Sequence, residues 1–193
     1  WRLNYGGAHL RLGVTPDIAV FGKTLANGHP MAAIIGTRAA MDGAHGSFIS
    51  SSFWTEGVGP AAALATLDKM ERVNVPAHCQ RIGTRVQAAW RECAQKHGLP
   101  LQVDDSFPAL AHFAFKHEQA DVLKTLYVQL MLERGFLARD SIYVTLAHTD
   151  EVIDRYTAAI DEVFGTLAQM LAKGNLAQNL KGPVAHSGFR RLL

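Results

Sequence analysis

The chain holds 193 residues, 48% of them hydrophobic, with a formal net charge of +2 at neutral pH. That length allows one large or two small domains with a real core. A charge this close to balance, with no long basic or acidic run, gives nucleic-acid binding no electrostatic support, and no apolar run reaches membrane-spanning length. The cysteines are Cys79 and Cys93. They read as small core or surface residues rather than as a disulfide framework or a zinc site, which fits a reducing, cytoplasmic setting. The nine histidines are scattered, with no pair at metal-ligand spacing, so no metal site is expected.

Residues 1–14 are rich in glycine and read as a loop. The opening Trp1-Arg2-Leu3-Asn4-Tyr5-Gly6-Gly7 has the character of the middle of a longer polypeptide, with no initiating methionine and no signal peptide. Ile18–Phe21 and Ala32–Gly36 are short apolar runs between turn signals, expected as buried strands. One helical turn over Thr37–Met41 is broken by Asp42-Gly43. Ser47–Ser52 is a third strand candidate. A helix begins near Pro60, where proline is tolerated in the first turn, and Asn74-Val75-Pro76 interrupts it.

A second helix follows, with Ile82, Val86, Ala89, Trp90 and Cys93 on one face, and Gly98-Leu99-Pro100 ends it. Leu101–Val103 and Ala109–Phe115 read as strands. Ala120–Arg134 reads as a helix with Val122, Leu123, Leu126 and Leu130 inward and Gly135 past its end. Phe136–Ala138 and Ile142–Leu146 read as short strands. Thr149 is a good N-cap, with Asp150 and Glu151 in the first turn. The helix after it places Val152, Ile153, Tyr156, Ile160, Val163, Phe164, Leu167 and Leu171 on one stripe. From Gly174 onward, core candidates are few and the tail is expected to pack as an arm. The pattern predicts an α/β portion over residues 1–75 and a smaller α+β domain over 76–193.

Lys23 carries the first chemical signal. Gly22 delivers it at the end of the Ile18–Phe21 run, and Gly28, Pro30 and a second apolar run follow. A lysine there is expected to be partly desolvated, and desolvation lowers an amine's pKa toward the neutral, nucleophilic form. The plainer alternative is a solvated loop lysine.

The segment Pro16-Asp17-(apolar)-Gly22-Lys23-(four residues)-Gly28-His29-Pro30-Met31-Ala32-Ala33 resembles the pyridoxal-phosphate lysine segment of class III aminotransferases, in the branch similar to glutamate-1-semialdehyde 2,1-aminomutase. Ser50-Ser51-Ser52-Phe53-Trp54-Thr55-Glu56-Gly57 resembles that family's threonine loop ahead of a long helix. Gly135-Phe136-Leu137-Ala138-Arg139 and Ala147-His148-Thr149-Asp150-Glu151 resemble its C-terminal domain. Val58-Gly59-Pro60 stands where family members commonly show Gly-Asn-Pro.

The resemblance implies a partial fold type I architecture, with the C-terminal part of the cofactor-binding large domain over 1–75 and a small C-terminal α+β domain over 76–193. It implies a pyridoxal 5'-phosphate enzyme that moves an amino group from a small-molecule donor to a carbonyl acceptor, or within one molecule as an aminomutase. Lys23 is then the aldimine lysine and Thr55 a phosphate ligand reaching across a homodimer. Arg139 is a candidate carboxylate clamp because a guanidinium suits bidentate carboxylate binding, with a surface or interdomain ion pair as the equal alternative. For Thr55 the plain alternative is a helix N-cap. The family's ring-nitrogen aspartate and glycine-rich phosphate loop have no counterpart here. The alternative reading is therefore a catalytically incomplete portion that serves only as a dimerisation or interaction module.

Overall fold

A computed structural model describes residues 1–186 and 188. The chain divides into two compact units, Trp1–His78 and Cys79–Leu193. The first unit opens on helix α1 (Ala8–Leu12) where a loop was expected. Gly7, at a φ of 122°, turns the chain into it, and Gly13, at 67°, takes the left-handed position past its end. Strands β1 (Ile18–Phe21) and β2 (Ala33–Gly36) pair antiparallel, with Ile18 opposite Gly36 and Phe21 opposite Ala33. A side chain at position 36 would meet the Asp17 carbonyl at 2.4 Å, so this close approach requires glycine.

These strands are not buried as their sequence suggested. Ile18, Val20, Ile34 and Ile35 are 50%, 69%, 59% and 53% exposed. The pair is a sheet of two strands; Phe21 and Ala33 are half-buried against the cluster of Leu25, Ala26 and Ala63, and these four isoleucine and valine side chains are left open.

Helix α2 (Arg38–Asp42) starts at Thr37, whose hydroxyl accepts from the Ala40 N–H at 3.4 Å. A 3₁₀ turn over Gly43–Gly46 follows. Ser47–Ser52 forms no strand; its Ser47 hydroxyl donates back to the Gly43 carbonyl at 3.3 Å. Serine hydroxyls that bond their own backbone compete with ladder formation, which the strand reading overlooked. Helix α3 (Val58–Arg72) closes the unit. Leu25, Ala26 and Ala63 form its small buried cluster, with Phe21, Met31 and Leu67 against it.

The second unit buries its apolar residues fully. Helix α4 (Val75–His97) begins after Asn74, which turns the chain at a φ of 46°. Ile82, Val86 and Trp90 are wholly buried, and Ala89 and Cys93 nearly so. The chain passes close against α4 at Gly83, where a Cβ would lie 1.9 Å from the Pro108 carbonyl oxygen. Strands β3 (Leu101–Val103) and β4 (Phe113–Phe115) form an antiparallel hairpin ladder. The strand expected over Ala109–Phe115 shortens because Pro108–Leu110 makes a 3₁₀ turn. Helices α5 (Ala120–Glu133) and α6 (Asp150–Ala172) complete the unit. Thr149 caps α6 as its sequence predicted, accepting from the Val152 N–H at 3.3 Å.

Phe113 is the hub. Its ring meets Trp90, Tyr127 and Phe164 edge-on at 4.9, 5.3 and 6.1 Å, the geometry aromatic quadrupoles favour. The buried polar tips find one another as well. The Trp90 indole N–H donates to the Tyr156 hydroxyl at 3.1 Å, and that hydroxyl lies 3.0 Å from the Tyr127 hydroxyl. Burial pushes both tyrosine pKa values up.

The short strands expected at Phe136–Ala138 and Ile142–Leu146 are absent as strands. Their backbone is used singly instead: the Ile142 N–H donates to Ala111 and the Val144 N–H to Ala109, with one isolated bridge between His112 and Ser141. After α6 the tail runs along α5, where Gln129 accepts from the Lys181 N–H at 2.9 Å and donates to the Asn179 carbonyl at 3.0 Å. Leu176 is a buried anchor in this arm. The last part of the expected arm, Ser187 and residues 189–193, lies outside the described residues.

Candidate active site

Lys23 begins a 3₁₀ turn, Lys23–Leu25, directly after β1 and Gly22. Its φ is 50°, a left-handed conformation that costs a residue with a Cβ about 1–2 kcal/mol. Such backbone strain persists only where the surroundings over-determine it, and it gathers at functional sites. What holds it here is the next turn of chain: Leu25 is 5% exposed and Ala26 fully buried, both against Ala63 of α3. The lysine itself is exposed. The desolvation expected from the sequence is thus not seen: Trp1 and His9 pack on Phe21 at the end of β1, and Lys23 is left exposed. No carboxylate among the described residues pairs with Lys23, so its amine is unclaimed.

The next fixed point is Gly59 in the first turn of α3. It is buried, and a Cβ there would meet the Pro30 carbonyl oxygen at 2.9 Å and the Met31 Cβ at 3.2 Å. The chain eight residues past Lys23 therefore packs directly on the start of α3. This contact also gives a physical reason for glycine in Val58-Gly59-Pro60.

Ahead of α3, Ser51–Thr55 form an exposed turn. The Phe53 N–H donates to the Ser51 hydroxyl at 3.2 Å, and the Glu56 N–H to the Phe53 carbonyl at 3.1 Å. Thr55 is not the helix cap. Glu56 takes that part: its Oε1 accepts from the Val58 N–H at 2.9 Å and its Oε2 from the Gly59 N–H at 3.4 Å. Sequence reasoning passed over Glu56, although an acidic residue just ahead of a helix is a legible signal. Phe53 and Trp54, 54% and 69% exposed, are not core residues.

His29 is exposed, and its backbone N–H closes a turn on Ala26. Arg139 belongs to the second unit, with its side chain 70% exposed and Nε 3.8 Å from Asp140. Asp140 is already held by Lys124 at 2.7 Å. His148 accepts from the Thr145 N–H at 3.0 Å and orders a turn. Cys79 and Cys93 are both buried and outside any disulfide, and the Cys79 thiol donates to the Val144 carbonyl at 3.4 Å. Burial, with the Asp161 carboxylate nearby, pushes the Cys93 thiol up to about 11, which makes it a poor nucleophile.

Lys23 thus stands without a carboxylate partner among the described residues, on a left-handed turn at the end of β1, and Thr55 stands on an exposed turn ahead of α3. The aminotransferase class-III family matches residues 5–163. The chain belongs to the class III aminotransferases. Among its relatives, the 3-aminobutyryl-CoA aminotransferase of Cloacimonas acidaminovorans is 30% identical over 177 residues, 89% of this chain and 42% of that protein. A glutamate-1-semialdehyde 2,1-aminomutase 2 of Lysinibacillus sphaericus is 30% identical over 88% of this chain and 43% of that protein.

Two solved structures agree in fold. The FumI protein of Sphingopyxis sp. MTA144, in its PLP internal aldimine form, superposes with a TM-score of 0.77 at 26% identity, over 86% of this chain and 40% of that one. A β-phenylalanine aminotransferase from Variovorax paradoxus reaches 0.74 at 22% identity, over 88% and 43%. The chain thus carries part of fold type I and spans about two fifths of the length of the relatives it matches. No helix among the described residues is long and apolar enough to cross a membrane.

Proposed function

We propose that the protein carrying this chain transfers amino groups with pyridoxal 5'-phosphate, between a small-molecule amino donor and a carbonyl acceptor or within one substrate as an aminomutase does. The observation that carries the reading is Lys23: an unpaired amine on a left-handed backbone at the end of β1, in a chain of the class III family. When bound, the cofactor supplies an aldehyde for an amine to hold and a ring that takes up electrons from the substrate carbon.

Lys23 is the amine we assign to that aldehyde, and once released it is the base that takes and returns the substrate's proton. Both tasks need the neutral amine, so they need a covering over Lys23 that these residues alone do not give. Thr55 is assigned to the phosphate, since its hydroxyl sits on an exposed turn and is not used as a cap. No residue of this chain is assigned to the ring nitrogen. The family pattern supports a homodimer with Thr55 acting across it, residues 1–75 as the end of the large domain, residues 76–193 as the small domain, and a cytoplasmic setting. Relatives include both transaminases and aminomutases, so the reading stops at amino-group transfer.

Borohydride reduction of the cofactor-loaded protein, followed by peptide mass spectrometry, tests the assignment. A pyridoxyl mass on Lys23, and its loss with the visible cofactor absorbance in Lys23→Ala, is the expected result. A label on another lysine overturns it. The exposure of Lys23 favours a second reading for the 193 residues by themselves, as a catalytically incomplete dimerisation or interaction module. That polypeptide alone is expected to show no saturable cofactor absorbance, and tight binding would exclude the second reading.

A further inference from the structure

The turn that bears Thr55 has little to hold it. Ser51, Ser52, Phe53, Trp54, Thr55 and Gly57 are all exposed, and Glu56 alone among them is half-buried. By contrast, the first turn of α3 is fixed, because Gly59 sits against the Pro30 carbonyl and Met31. Gly57 offers that helix no side-chain cap, and the first turn carries no acidic residue. Glu56 bridges the two. Its backbone belongs to the Thr55 turn, through the N–H bond to Phe53, and its two carboxylate oxygens are bonded to the Val58 and Gly59 amides.

We propose that Glu56 is the positioning residue of the Thr55 loop: its bidentate grip on the pinned first turn of α3 fixes where the Thr55 hydroxyl stands. The inference rests on the reading of Thr55 as a phosphate ligand. An ionised carboxylate accepting two N–H bonds is stronger than a neutral cap. A glutamine at 56 keeps one accepting oxygen in place, and an alanine keeps none.

The test compares pyridoxal phosphate with pyridoxal, which lacks the phosphate, as ligands of the intact cofactor-free protein. Glu56→Ala is expected to weaken pyridoxal phosphate by about five-fold, the factor typical of losing one helix cap, and to leave pyridoxal unchanged. Glu56→Gln restores most of the affinity. Combined with Thr55→Ala, Glu56→Ala adds no further loss, because the two act through one hydroxyl. Amide hydrogen exchange gives a readout independent of cofactor: Glu56→Ala accelerates exchange over residues 53–59 and leaves residues 79–172 as they were.

Equal weakening of both ligands, additive losses, or unchanged exchange over 53–59 overturns the proposal. If Thr55→Ala itself fails to separate the two ligands, the phosphate reading of Thr55 falls. The exchange measurement then decides alone whether Glu56 orders the loop.

Discussion

Trp1–His78 and Cys79–Leu193 are built from similar apolar side chains and treat them in opposite ways. In the second unit, Trp90, Phe113, Tyr127 and Phe164 are at most 2% exposed and pack edge to face, with α4, α5 and α6 supplying a layer beside a short hairpin. In the first, Ile18, Val20, Ile34 and Ile35 stand half or more exposed, and Leu25, Ala26 and Ala63 make up the buried cluster. Strand-forming residues make strands in both units. Burial requires a layer to pack on: α4, α5 and α6 supply one in the second unit, whereas in the first the cluster with α3 takes in Phe21 and Ala33 and leaves Ile18, Val20, Ile34 and Ile35 open. The candidate site lies in the more open unit, where Lys23 stands exposed on a left-handed backbone.

The comparison breaks most readily at Trp90. Trp90→Ala removes a fully buried ring together with a hydrogen bond to Tyr156, and is expected to cost about 3–5 kcal/mol in denaturant unfolding followed by near-ultraviolet circular dichroism. A cost under about 1 kcal/mol would mean that the second unit's core is not the folded nucleus described here.

A smaller effect is expected from the surface ion pairs that tie α4 to α6, where Arg81 donates to Asp150 at 3.0 Å and Arg85 to Asp154 at 2.6 Å. The hydrogen bonds from Arg81 hold the Asp150 carboxyl below its usual range, and those from Lys96 and His97 do the same for Asp161. A depressed folded-state pKa stabilises the fold above the unfolded value, near 4, and that contribution is lost as pH falls through the folded value. Asp150→Asn should therefore flatten the fall in stability below about pH 4 and leave its shape above pH 6 unchanged. An unaltered acid limb in an unfolding titration would remove Asp150 from the account.

The smallest effect is expected in the first unit. Val20→Ser on the exposed face of β1 should change the stability of the 193-residue chain by less than about 0.5 kcal/mol. The same substitution in a protein where that face is covered should cost about 2 kcal/mol, so the measured difference reports directly whether a layer is present.

Legibility followed the range of the interactions. Thr149 as a cap and the buried stripes of α4 and α6 depend on residues three or four apart, which the sequence displays. The misread segments depend on partners far along the chain. Ile142 and Val144 were expected in a strand, and their N–H groups instead bond singly to Ala111 and Ala109. Ser47 was expected in a strand and bonds its own turn. Glu56 was passed over because its role appears only once Gly59 is seen pinned on Pro30. The sequence by itself determined the family, through the ordered residues from Pro16 to Ala33 that carry Lys23, and it determined most helix positions, because both are written in local spacing. Tertiary structure alone decided which apolar residues are covered, that Lys23 stands exposed on a left-handed turn, and that Glu56 rather than Thr55 caps α3. Those outcomes depend on which surfaces meet, and no local pattern encodes that.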